Sequence, residues 1–212
     1  MVPVIACIKV GSKYGPEYVN RLAAMVARNT TKPYEFVCLT DFPMGLDCPF
    51  KPIGTDLPGW WAKLVLFKPH PALAGRRVLF LDLDTVIVGN MDFLLDYEGP
   101  FAILRDFYRP DGYGSAVMSI APGFGSSIWR DYTAGQWGRW WGDQAWIEAC
   151  VLGADRWQDL YPDKIVSFKV HCLTGVPAHA AIVCYHGEPR PHDMAHLPWM
   201  QEHWHDRTPV TR

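Results

Sequence analysis

The chain has 212 residues, 49% of them hydrophobic, with 20 Lys and Arg against 22 Asp and Glu. A formal net charge of -2 provides no basic field for nucleic acid, and no apolar stretch is long enough to span a bilayer. The length suits one globular domain over residues 1–212. The N-terminus lacks the basic start of a signal peptide. Six cysteines without a C-x-x-C pair, three of them (Cys7, Cys38, Cys184) inside apolar runs, fit free thiols in a reducing cytoplasm.

Residues 3–10, PVIACIKV, form an apolar run that stops at Gly11, as a buried parallel strand does. Pro16 suits the first turn of a helix. Val19, Leu22, Ala23 and Val26 then fall at i, i+3, i+4 and i+7, one apolar face. YEFVCLT, residues 34–40, is a second strand and completes a βαβ unit. A loop rich in Pro, Gly and Asp leads to WWAKLVLFK, read as a helix closed by Pro69. RRVLFLDLD, residues 76–84, is the strongest strand signal in the chain. PFAILRD and SAVMSIAPG predict further strands, DQAWIEACVL a helix, and AAIVCYHG a late strand. The pattern predicts an α/β fold with a mostly parallel central sheet flanked by helices.

Asp82 and Asp84 close that strongest strand. Carboxylates are costly to bury. Side chains at i and i+2 of a strand share a face, so the two are expected to converge. Open α/β sheets bind ligands beyond the carboxyl ends of their strands. Paired carboxylates repel unless a cation or proton is shared, and hard divalent cations take oxygen ligands. Solvated loop aspartates are the plainer and weaker alternative.

FLDLDTV fits two known patterns. One is the D-x-D of nucleotide-sugar glycosyltransferases with the GT-A fold. The other is the D-x-D-x-V of haloacid-dehalogenase-like phosphatases, whose first Asp is a nucleophile. The phosphatase motif follows the first strand, whereas a complete βαβ unit precedes it here. Ile147 also stands where the late G-D-x-x-x-D motif of those enzymes needs its last Asp.

Several blocks, in order, resemble glycosyltransferase family 8, the family of glycogenin and bacterial galactosyltransferases. Lys63 in GWWAKLVLFKP precedes the D-x-D strand. YGSAVMSIAPG has Gly114 where the family has Asn before Ser115. Asp143-Gln144 stands before a helix, and CYHGEPRPH offers His186 with Arg190-Pro191 in place of Lys-Pro. The resemblance implies a single GT-A-like (Rossmann-like) domain, with residues 1–90 its nucleotide-binding half and 91–212 its acceptor half and C-terminal tail. It implies metal-dependent transfer of a hexosyl group, with retention, from a nucleoside-diphosphate sugar, UDP-linked, to a carbohydrate or other hydroxyl acceptor.

It also implies metal ligands Asp82, Asp84 and His186, a set that suits Mn²⁺ somewhat better than Mg²⁺ because imidazole is a softer ligand. The donor nucleotide falls to Val10, Gly11, Lys13, Tyr14, Asp41 and Leu83, and its diphosphate to Asp82, Lys63 and Arg190. Asp143 and Gln144 are the catalytic candidates on the acceptor side. Asp143 reads equally as a helix N-cap. The phosphatase and a non-catalytic carbohydrate-binding module stand as alternatives.

Sugars present apolar C–H faces to aromatic rings. Trp60, Trp61, Trp140, Trp141 and Trp146 are candidate platforms, and one Trp of each adjacent pair is expected at a surface. His192, His196, His203 and His205 crowd the C-terminal segment, but Pro198 interrupts any helix and no cysteine pair supports zinc.

Overall fold

The structure, a computed structural model, describes residues 1–132 and 139–207. Strand β1 (Val4–Lys9), helix α1 (Pro16–Asn29) and strand β2 (Glu35–Thr40) form the predicted βαβ unit, with β1 and β2 paired in parallel. α1 begins at Pro16 and buries Tyr18, Val19, Leu22, Met25 and Val26. Strand β3 (Phe50–Pro52) closes this edge of the sheet. It ends in proline, which cannot extend a ladder.

Residues Gly59–Phe67 form the expected helix, of the 3-10 type. No side chain caps its start, and six of its residues are buried, so no single amphipathic face directs it. In a 3-10 helix, side chains at i and i+3 lie in line. Trp61, Leu64 and Phe67 accordingly enter the core, while Trp60 and Lys63 turn to the opposite side.

The run expected to be one strand through Asp84 is divided in two. Strand β4 (Val78–Leu81) stays beside β1, and strand β5 (Thr85–Ile87) leaves for a second sheet. Helix α2 (Asp92–Leu95) follows, then strands β6 (Phe101–Arg105) and β7 (Tyr113–Ile120). Helices α3 (Ser126–Arg130) and α4 (Asp143–Cys150) lead to strand β8 (Asp155–Arg156) and helix α5 (Trp157–Leu160). Strand β9 (Ile165–Ser167), helix α6 (Phe168–His171), strand β10 (Ile182–Cys184) and helix α7 (Pro198–His203) complete the chain.

The seven-stranded sheet has the order β3-β2-β1-β4-β7-β6-β8. Its pairs are parallel except those made by β7, which is antiparallel to both β4 and β6. The late strand β10 does not join it, but pairs with β5 and β9 in a three-stranded sheet.

Two apolar cores lie on the two faces of the large sheet. Ile5 and Cys7 face α1, the small sheet and the fully buried Trp157. Val4 and Ala6 face the 3-10 helix, Ile128 of α3 and Ile147 of α4. This sandwiching explains why β1 and β4 are apolar on both sides. The six cysteines are free. Among the described residues, no helix is long and apolar enough to cross a membrane.

Candidate active site

A cavity of about 660 Å³ opens at the carboxyl ends of β1 and β4, a size suited to a small-molecule ligand. Asp82, Leu83 and Asp84 enter it from the turn that passes the chain from the large sheet to the small one. The Asp82 amide donates to the Ala116 carbonyl at 2.8 Å, and the Thr85 amide donates to the Asp82 carbonyl at 3.1 Å. The two aspartates share a cleft because of this turn. Strand alternation is not the cause, since β4 ends at Leu81.

Lys63 reaches the same cleft from the 3-10 helix. Its ammonium donates to Asp82 Oδ2 at 2.6 Å and to Ser115 Oγ at 3.1 Å, with Asp143 Oδ2 at 3.8 Å. Burial would lower its pKa, but the charges of Asp82 and Asp143 outweigh burial and raise it. Burial pushes the Asp82 carboxyl up to about 7; Lys63 pulls it down, and Asp84 and Asp143 push it further up. Negative charge is therefore crowded here, with one ammonium beside two carboxylates.

Asp84 Oδ2 accepts from the Tyr14 hydroxyl at 2.7 Å. Burial, then the Asp84 charge, raise the Tyr14 phenol far above its ordinary value. The Arg190 guanidinium lies 5.9 Å from the Tyr14 ring and pairs with Glu188 at 2.9 Å.

His186 also lines the cleft, but its Nε2 is bonded to Ser167 Oγ at 2.7 Å. Its ring stacks on Phe107 at 5.6 Å and meets the Tyr108 ring edge-on at 5.1 Å. Burial, then the charge of Lys169, lower its pKa and favour neutral imidazole. Among the described residues, no three His, Cys, Asp or Glu side chains gather at one point fit for a metal. The expected ligands share a cleft without forming a ready cluster.

Asp143 is buried at the start of α4, where the N-cap position belongs to Gly142 and no side chain caps the helix. The capping alternative is thereby corrected: Asp143 Oδ2 has no hydrogen-bond partner. Gln144 Nε2 donates to Asp106 Oδ2 at 3.3 Å.

Of the nucleotide candidates, Val10, Lys13 and Tyr14 line the cleft. Gly11, Asp41 and Arg190 are not among its lining residues. The Gly11 amide donates to Asp41 Oδ2 at 3.1 Å, which ties the β1–α1 turn to the end of β2. Gly11 has a φ of 62°, and an added Cβ would meet nothing within 4 Å, so this glycine answers to backbone conformation and not to crowding.

Trp60 and Trp141 are 55% and 60% exposed at the cleft, whereas Trp61 and Trp146 are buried. One Trp of the 60–61 pair is thus outside and one inside, as the sequence requires. Trp140 packs against Trp146 with ring centroids 5.8 Å apart.

Sequence reasoning missed the β6–β7 loop, which contributes Asp106, Phe107, Tyr108 and Arg109 to the cleft. Asp106 Oδ1 accepts from the amides of Tyr108 and Arg109 at 2.8 and 2.9 Å, which folds the loop back over the site. An aspartate closing an apolar strand was the available signal, the same one that drew attention to Asp82.

No protein-family model and no curated protein sequence matches the chain. Solved structures do. The glycosyltransferase GlyE of Streptococcus pneumoniae TIGR4 superposes with a TM-score of 0.63 at 14% identity, covering 95% of this chain and 62% of GlyE. The galactosyltransferase LgtC, solved with donor and acceptor sugar analogues, gives 0.63 at 14% identity over 94% of each chain. The fold is that of the GT-A glycosyltransferases. A further GT-A match, the bifunctional glycosyltransferase WbbM, gives 0.61 at 14% identity over 95% of this chain and 50% of WbbM. The chain thus spans less than two thirds of GlyE and half of WbbM. The D-x-D turn follows β4, the fourth strand in chain order, not the first strand that a haloacid-dehalogenase-like phosphatase would use.

Proposed function

We propose that this protein is a metal-dependent glycosyltransferase that moves a hexosyl group, with retention of configuration, from a UDP-sugar to a hydroxyl acceptor. The observation that supports this best is the meeting of Asp82, Asp84 and Lys63 in one cleft of about 660 Å³ at the strand ends of a GT-A fold. The carboxylates of Asp82 and Asp84 fit a divalent cation; burial, and then the neighbouring carboxylates, disfavour the charged form of Asp82, which such an ion would stabilise. His186 would join them by giving up its bond to Ser167. A bound Mn²⁺ or Mg²⁺ would supply Lewis-acid neutralisation of the departing diphosphate.

The chain's own groups have distinct tasks in this reading. Lys63 favours the ionised form of Asp82 and adds positive charge beside the diphosphate. Tyr14 orients Asp84. Asp143 lines the cleft beside Lys63 and faces the donor sugar, and Gln144, braced by Asp106, orients the acceptor. Trp60 and Trp141 offer flat apolar surface to the sugar rings.

Thermal melting with UDP and Mn²⁺ tests the assignment. Ligand at a hundred times its dissociation constant adds about 2.7 kcal/mol of stability. The melting temperature is expected to rise with the two together and far less with either alone. A rise with phosphate analogues and Mg²⁺ alone would point to a phosphatase, and a rise with free glycans alone to a binding module.

A further inference from the structure

A second cavity, of about 530 Å³, adjoins the reaction cleft, and Arg109 and Trp141 line both. Its size falls within the range of small-molecule sites. The Arg109 guanidinium lies 5.2 Å from the Trp141 ring centroid and donates to Glu148 Oε2 at 3.1 Å. Helix α4 runs from one cavity to the other. Asp143 and Gln144, in its first turn, line the cleft. Ala145, Glu148 and Ala149, at i, i+3 and i+4, line the second cavity from one helical face. A molecule oriented by Gln144 in the cleft is therefore led along this face and past Trp141.

The lining indicates the chemistry of what lies there. Its charges balance, Arg109 and Arg156 against Asp111 and Glu148, which leaves no net field to attract an anion. The same groups supply both donors and acceptors, as a polyhydroxylated molecule requires. Glu148 Oε2 accepts from Arg109 and from the Tyr113 amide, each at 3.1 Å. Its Oε1 makes no hydrogen bond among the described residues, and the side chain is 34% exposed, so a hydroxyl can reach it. Trp141 and the 91% exposed Leu152 add apolar surface for the C–H faces of sugar rings. The walls are already tied down. Arg156 donates to the carbonyls of Pro110 and Asp111 at 2.9 and 3.0 Å, and the Tyr113 hydroxyl accepts from the Ala154 amide at 3.0 Å.

We propose that the second cavity is a distal acceptor subsite, so that the acceptor is a neutral oligosaccharide whose inner sugar units lie beyond Trp141. The inference rests on the glycosyltransferase reading above and names the acceptor class within it.

Titration calorimetry in the presence of UDP and Mn²⁺ tests it, with glucose, galactose, mannose and N-acetylglucosamine as probes, each as monomer, dimer, trimer and tetramer. In at least one series, affinity should rise on the order of tenfold with length, the worth of one hydrogen bond to a charged group. Oligogalacturonates of the same lengths should show no such gain. Ala149 is exposed on α4, and Ala149→Trp fills the cavity from there. It should remove the length dependence while the melting temperature and its response to UDP and Mn²⁺ stay at wild-type values. Glu148→Gln keeps an acceptor but loses the charge, and should retain only part of the gain. No length dependence in any neutral series would overturn the proposal, as would a larger gain with oligogalacturonates. A gain undiminished in both variants would place the longer glycan elsewhere. Wild type that responds to UDP and Mn²⁺ without a length dependence sinks this proposal alone. Wild type without that response sinks the glycosyltransferase reading, and this one with it.

Discussion

Lys63→Met removes the only ammonium bonded to Asp82 among the described residues, and the consequence can be worked from the geometry. The Lys63 and Asp82 side chains are 12% and 24% exposed, with the ion pair at 2.6 Å. Breaking a buried pair by deleting one partner costs about 3–5 kcal/mol. Partial exposure of Asp82, and its readiness to take up a proton, place the cost near the lower end, about 3 kcal/mol at pH 8. At about 2–4 °C per kcal/mol for a chain of this size, the melting temperature should fall by ~6–12 °C.

The loss should depend on pH, with a definite sign. The Asp82 carboxyl already titrates above its unfolded value in the folded protein. Without Lys63, the attraction that lowers it is gone and it moves higher still. Between the unfolded and folded values the folded protein binds a proton that the unfolded chain lacks, so stability rises as pH falls through the folded value, by about 1.4 kcal/mol per unit. Wild type shares part of this gain, and the variant gains more. Lys63 itself has a raised pKa, so its stabilisation is constant below its unfolded value and adds no slope in this range. The deficit measured by circular-dichroism melting should therefore shrink by roughly half between pH 8 and pH 5.5. A deficit equally large at both pH values, or none at either, would refute the electrostatic account of this site.

Other perturbations separate binding from folding. Asp84→Asn keeps an acceptor for the Tyr14 hydroxyl and removes a charge that repels Asp82. Calorimetry should show Mn²⁺-dependent UDP binding lost while the melting temperature of the free protein holds or rises; a sharp fall with binding intact would mean the aspartates are structural. The Cβ of Gly11→Val meets nothing within 4 Å, but the substitution forces a branched side chain into left-handed backbone, at about 1–2 kcal/mol, so chemical denaturation should show a loss of that order. Trp60→Ala and Trp141→Ala remove exposed rings and should leave stability within about 0.5 kcal/mol of wild type. In a transfer assay they should raise the acceptor KM, and an unchanged KM in both would take the aromatic mouth out of acceptor binding.

What the sequence determined by itself were the features set by local pattern. Unbroken apolar runs identified β1, β2, β4, β6 and β7, because strands buried on both faces leave no room for alternation. Pro16 and the apolar spacing after it identified α1. The D-x-D stood out because carboxylates ending an apolar run carry a desolvation penalty that needs a reason. The tertiary structure decided what those patterns leave open. It broke one apolar run into β4 and β5 at the aspartates, since a turn bonded to Ala116 sends the chain to a different sheet. It carried β10 to that sheet, and it reversed β7 between two strands of the opposite direction. It brought the Asp106 loop over the cleft and Lys63 from the 3-10 helix against Asp82. None of these is legible locally, because which strand a segment pairs with, and which charges meet, depend on partners tens of residues away in the chain.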